Sequence, residues 1–271
     1  MTSGPPTDGD ERAGRPGEEP RSARGLDALT DPPEAAVQLF AGQLPAAEHF
    51  AGILATRGVD HGLVGPREVP RLWDRHLINC ALLARAIPDG ARVVDVGSGA
   101  GLPGIVLAIA RPDLHVELVE PLERRVRWLD AAVDELGLNQ VRVHRGKAEA
   151  FWGELSGDVV TARAVARLGE LTRWCLPLVP IGGVMLAMKG ASVAREIEED
   201  RDAMLAAGAG DIELVTLGED LVEVPTRVVR ATRVSEGDAR EARDRGRRTR
   251  PPRGGKAPRS DRHGRPRGRR S

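Results

Sequence analysis

The residues most suggestive of chemistry lie in one short stretch, Asp95-Val-Gly-Ser-Gly-Ala-Gly-Leu-Pro-Gly104, which follows the apolar pair Val93-Val94. Four glycines in ten residues let main chain come close to a ligand, because no Cβ stands in the way. The stretch has two registers. Gly99-x-Gly101-x-x-Gly104 fits a dinucleotide fingerprint, with Glu120 about twenty residues on. Asp95-x-Gly97-x-Gly99-x-Gly101 instead sets an acid at a strand end before three alternating glycines. An acid at position 95 would repel a pyrophosphate but suits an ammonium or a sulfonium. Glu120 can accept both hydroxyls of a ribose in either register.

The second register accounts for more residues. It is the pattern of S-adenosylmethionine-dependent methyltransferases, in which the acid lies beside the amino-acid end of the cofactor and the glycines bend beneath its methionine and ribose. Nothing else in the chain has the spacing of a reactive group. Cys80 and Cys175 are the only cysteines, with no Cys-x-x-Cys or Cys/His cluster. Neither a metal site nor a disulfide is expected, and both thiols read as core residues. No Ser/His/Asp or Cys/His constellation stands out.

The elements that must position this loop are legible from periodicity. From about residue 34 to 90 apolar residues recur at helical spacing, as in Val37, Phe40 and Leu44, then Phe50, Ile53 and Leu54. This is a helical cap. From 91 the period changes. RVVDV, HVELVE, VRVHRG, DVVTARAV and GGVMLAMKG read as strands. Between them, LPGIVLAIA, PLERRVRWLDAAVDELG and LGELTRWCLPLV read as helices, and SVAREIEEDRDAMLAAG follows the fifth strand. IELVTL and TRVVRATRV close the set with no helix between them, which predicts an antiparallel edge pair. The fold class is therefore α/β, an open, doubly wound, mostly parallel sheet of seven strands with N-terminal helices. Together with the likeness of the glycine loop, this makes a Rossmann-like S-adenosylmethionine-dependent methyltransferase fold the expectation.

Residues 1–33 are rich in Gly, Pro and charge and are expected to be a disordered extension, leaving 34–234 as the methyltransferase domain, with 91–234 its core. Residues 235–271 are expected to be a disordered Arg-rich tail suited to nucleic-acid contact. That tail holds fourteen Arg/Lys against five Asp/Glu, whereas 35–234 holds 22 basic and 27 acidic residues. The formal net charge of zero thus hides a separation of sign. No apolar run reaches the roughly 18 residues that a bilayer requires, and the polar N-terminus is unlike a signal peptide. A soluble, cytoplasmic, monomeric protein with no membrane partner is expected.

The stretches VVDVGSGAGLPGIVLAIARP, VELVEPLERRVRWL, GKAEAF, DVVTARAVA and LAMKG resemble, in order and spacing, the small-subunit (16S) ribosomal RNA guanine-N7 methyltransferases, also called the glucose-inhibited division protein B family. The resemblance runs from about Glu34 to Val234, and DRHLINC upstream is similar to the family's Arg-His segment. It implies S-adenosyl-L-methionine as cofactor. The substrate it implies is 16S rRNA, within the small ribosomal subunit or an assembly intermediate. Gly97 and Leu102 would contact the cofactor, Ala148 and Glu149 would hold its adenine end, and Arg163 would face the active site to position substrate or methyl donor. Arg75, His76 and Lys189 are RNA-binding candidates.

The implied chemistry agrees with the residues. Guanine N7 keeps a free lone pair at neutral pH, so no general base is required, and alignment of base and methyl is the main task. N7 lies on the major-groove edge, which is inaccessible in A-form RNA, so the target should sit in a loop or distortion. Two other readings remain open. One is an NAD-dependent oxidoreductase, disfavoured by Asp95 and by the lack of any Tyr. The other is an RNA-binding assembly factor that does not turn over.

Overall fold

The computed structural model describes residues 21–163 and 165–237. Seven strands form one sheet in the order β3-β2-β1-β4-β5-β7-β6. They are β1 Arg92–Val96, β2 His115–Glu120, β3 Val141–Arg145, β4 Val159–Arg163, β5 Val184–Lys189, β6 Ala209–Leu217 and β7 Thr226–Arg233. The first five run parallel, and β7 and β6 pair antiparallel at the edge as expected. The order reverses between β1 and β4. Loops leaving those two strands must diverge, and the crevice between them is where open α/β sheets take ligands.

Both faces of the sheet are covered, which is why β1 and β4 are nearly continuous apolar runs rather than alternating ones. Val93, Val116, Leu118 and Val159 face a core shared with α5 (Gly104–Ala110), α6 (Glu123–Glu135) and the N-terminal helices. Val94, Val96, Val160 and Ala162 face the other core, under α7 (Leu168–Cys175) and α8 (Val193–Ala206). Cys80 and Cys175 are both buried, one on each side.

The cap consists of α1 (Arg21–Ala28), α2 (Glu34–Phe40), α3 (Leu44–Ile53) and α4 (Ile78–Leu82). The wide turn Leu72–Leu77 leads into α4 and carries Arg75 and His76. α1 falls within residues 1–33, where a disordered extension is expected; residues 1–20 lie outside the described residues. The helix is ordered by docking. Gly25 packs so tightly that a Cβ there would overlap the Ala55 carbonyl. Just downstream, the buried Trp73 indole donates to the Thr30 carbonyl at 2.9 Å. Of the Arg-rich tail, residues 238–271 lie outside the described residues. No helix among the described residues is long and apolar enough to cross a membrane.

Candidate active site

The loop after β1 is held from three sides. Gly97 and Ser98 donate their N–H groups to the Val119 carbonyl at 2.8 and 3.3 Å, tying the loop to β2. Trp128 on α6 is buried and donates its indole N–H to Ala100 O at 3.1 Å. Gly97 and Gly101 have φ of +72° and +95°, and side chains there would strike Val165 and Ile105. Gly97 and Val165 line a cleft of about 630 Å³ at the C-terminal ends of β1, β2, β3 and β4.

Of the residues expected at the cofactor, Gly97, Gly99, Leu102, Glu120, Ala148, Glu149 and Arg163 all line this cleft. Glu120 is buried, and its two oxygens accept N–H groups from Leu122 and Gly99, each at 3.0 Å. The loop itself therefore aims this carboxylate. Arg125 stands 3.7 Å from Glu120 and lines the same wall; its Nε is buried and has no hydrogen-bond partner among the described residues. Arg125 was not singled out from sequence, although its place one turn into the helix after Glu120 was a usable signal. Glu149 opens the short turn Ala148–Phe151 at the end of β3.

Asp95, expected beside the amino-acid end of the cofactor, is buried beneath the loop and is not among the residues that line the cleft. Its Oδ2 accepts the Gly104 N–H at 3.1 Å, and Oδ1 accepts the hydroxyl of Thr161, its register partner on β4, at 3.1 Å. Burial pushes its pKa up to about 6, against the pull of its hydrogen bonds. Strand alternation puts Asp95 on the face of Val93, under α5, where it pins the start of that helix. Gly101 is likewise a shaping residue behind the wall.

Arg163, at the end of β4, joins this cleft to a second one of about 620 Å³, and among the described residues only it and His76 line both. Its guanidinium donates to Cys80 Sγ at 3.2 Å, to the Arg75 carbonyl at 3.1 Å and to His76 Nδ1 at 2.7 Å. Arginine can only donate, so His76 Nδ1 must hold a lone pair and Nε2 the proton. Nε2 then donates to Glu68 Oε2 at 3.2 Å. Burial, reinforced by Arg163, holds the His76 pKa below its ordinary value, which keeps this neutral tautomer. Asn79 braces the second cleft, donating to the Arg75 carbonyl and accepting from Thr226.

The RNA candidates divide. Arg75 and His76 line the second cleft, and Arg75 is exposed. Lys189 borders the cleft, and its ammonium donates to the Ala166 carbonyl at 2.6 Å and to Glu196 at 2.8 Å, with the side chain 9% exposed. Glu68 and the exposed Arg227 join this cleft from segments that no sequence motif connected.

A family model described as rRNA small subunit methyltransferase G matches residues 43–223. Three curated relatives carry the name Ribosomal RNA small subunit methyltransferase G. That of Salinispora arenicola is 56% identical over 75% of this chain and 88% of its own length. That of Rhodococcus jostii is 53% identical over 78% and 93%, and that of Corynebacterium efficiens 50% over 78% and 91%.

Proposed function

Because the chain belongs to the rRNA small subunit methyltransferase G family, we propose that it transfers a methyl group from S-adenosyl-L-methionine to N7 of one guanine in 16S rRNA. The observation that carries this reading is the pair of clefts meeting at Arg163. One is shaped by main chain and suits the cofactor; the other is rimmed by arginines and suits an RNA nucleotide. The cofactor fits the first on two counts: Gly97 on its wall leaves room that a Cβ would fill, and Arg125 has a buried Nε–H with no partner among the described residues. Glu120 would hold the ribose hydroxyls, Ala148 and Glu149 the adenine end, and Gly97 and Leu102 the remainder. Asp95 serves from beneath by fixing Gly104.

When bound, the sulfonium supplies an electrophilic methyl carbon, which N7 takes with its lone pair as the C–S bond breaks and leaves its electrons on sulfur. The protein's part is to align the two groups, the kind of positioning that is worth roughly 7–11 kcal/mol. Arg163 spans both sides of that junction and acts as the positioning residue. Its guanidinium is fixed by Cys80, Arg75 and His76. Arg75 and Arg227 at the rim would meet phosphates, and the tail beyond residue 237 would add nonspecific attraction. The protein would act in the cytoplasm, as a monomer.

The test uses small subunits from cells lacking this gene, incubated with the protein and methyl-labelled S-adenosylmethionine, followed by nucleoside mass spectrometry. One new 7-methylguanosine in a single fragment is the expected result. No incorporation into subunits or naked rRNA, by protein that binds the cofactor, would favour the assembly-factor reading.

A further inference from the structure

We propose that the second cleft is the pocket for the target base and that the Glu68 carboxylate reads the Watson–Crick edge of guanine. This rests on the guanine-N7 reading above. A group that selects guanine while leaving N7 to react must grip the opposite edge of the base. That edge offers N1–H and N2–H, two parallel donors that match the two oxygens of a carboxylate. Adenine offers an acceptor at N1 and would be repelled.

Glu68 meets this need. It lines the second cleft with its side chain about one-third exposed. Oε2 accepts from His76 at 3.2 Å and stands 3.9 Å from Arg75, whereas Oε1 has no hydrogen-bond partner among the described residues. The other carboxylate on the cleft, Asp74, is exposed. Lys189 is already neutralised by Glu196, so it does not compete for Glu68. The cleft's volume lies within the range of nucleotide-sized sites.

The chain Arg163 to His76 to Glu68 also links base recognition to the junction with the first cleft. Both ends of His76 are committed, so the imidazole fixes Glu68 relative to Arg163. This gives Glu68 a second effect. As N7 acquires the methyl group the ring becomes cationic, and its N1–H and N2–H become stronger donors. A carboxylate on that edge then binds the transition state more tightly than the ground state, which raises kcat as well as affinity. No proton leaves in this step, so Glu68 is a specificity residue and not a base.

The experiment uses the full chain and two small-subunit rRNAs, one natural and one with inosine at the methylated position. Inosine keeps N7, O6 and N1–H but lacks the N2 amine. Wild type is expected to methylate the inosine RNA roughly tenfold or more slowly, since one charge-assisted hydrogen bond is lost. Glu68→Gln should lower kcat on guanine by about 10- to 100-fold and reduce the guanine-to-inosine ratio to within about threefold. Its affinity for S-adenosylhomocysteine, measured by calorimetry, should stay within about twofold. Glu68→Asp should restore part of the ratio, because it keeps the charge. A Glu68→Gln enzyme that discriminates as wild type does would overturn the inference, as would a wild type indifferent to inosine. Absence of any 7-methylguanosine with wild type would instead overturn the reading on which the inference rests.

Discussion

The two clefts that meet at Arg163 are built by opposite means. The first is made mainly of main chain. The eight residues Gly97–Gly104 after β1 bend at their glycines, and N–H groups among them bond Val119 and Glu120. The second is made of side chains gathered from far apart in the chain: Glu68, Arg75 and Asn79 from the cap, Arg163 from β4, and Thr226 and Arg227 from β7. A wall of main chain tolerates few changes at its glycines and many around them. A wall of side chains is the reverse: each position can change without collapse, and recognition is lost one hydrogen bond at a time.

The contrast is sharpest at glycines. A Cβ on Gly104 would overlap Leu118 and come within 2.8 Å of Asp95 Oδ2, whereas one on Gly190, which lines the second cleft, meets nothing within 4 Å. Gly104→Ala should therefore weaken S-adenosylhomocysteine binding more than about 100-fold and destabilise the fold by about 1–3 kcal/mol. Gly190→Ala should leave that affinity within about twofold and stability within about 0.5 kcal/mol. Calorimetry and urea unfolding on both variants decide it, and equal effects would erase the distinction.

Arg163→Lys comes next. A lysine keeps the charge but not the planar fork that spans Cys80, Arg75 and His76. Steady-state methylation should lose about 30- to 100-fold in kcat/KM, with only a few-fold change in S-adenosylhomocysteine affinity. A variant that loses cofactor binding to the same extent would place Arg163 wholly in the first cleft.

Lys189→Ala should destabilise by about 2–3 kcal/mol, because it strands Glu196 in a partly buried place. The salt dependence of rRNA binding should not change. A slope reduced by about one would return Lys189 to the RNA side.

Two smaller effects depend on pH. Asp95 titrates near 6 in the fold against 3.8 for the free group. Between those values the folded protein holds a proton that the unfolded chain has released. This contribution to stability is complete below pH 3.8 and is lost as pH rises through 6, at a total of roughly 3 kcal/mol. Asp95→Asn can keep both hydrogen bonds with Thr161 reversed as acceptor, so the difference in unfolding free energy between wild type and variant should grow in the variant's favour from pH 5 to pH 8. His76 must stay neutral to accept from Arg163. Methyl transfer should therefore decline only below pH 6.5, the ordinary histidine value, and His76→Gln should flatten that acid limb.

Much of this molecule was readable before folding was considered, and the reason is locality. Glycines at 97, 99 and 101, Glu120 at the end of β2 and Ala148-Glu149 after β3 sit at strand ends, and the sheet's topology brings strand ends together. Less legible in the sequence is the direction of a side chain. A motif marks Asp95, but only the strand's alternation with Val94 and Val96 turns it beneath α5, where it bonds Gly104. Lys189 ends a strand, and Glu196, seven residues on, pairs with its ammonium.

What the sequence by itself determined is the sheet, its antiparallel edge and the glycine cradle, because each follows from short-range periodicity and from the absence of a Cβ. What only the tertiary structure decided is the second cleft. Its carboxylate, histidine and arginines come from three distant segments, and His76 received its tautomer from Arg163, 87 residues away. Burial and hydrogen bonding between distant groups set protonation and direction, and no local pattern encodes them.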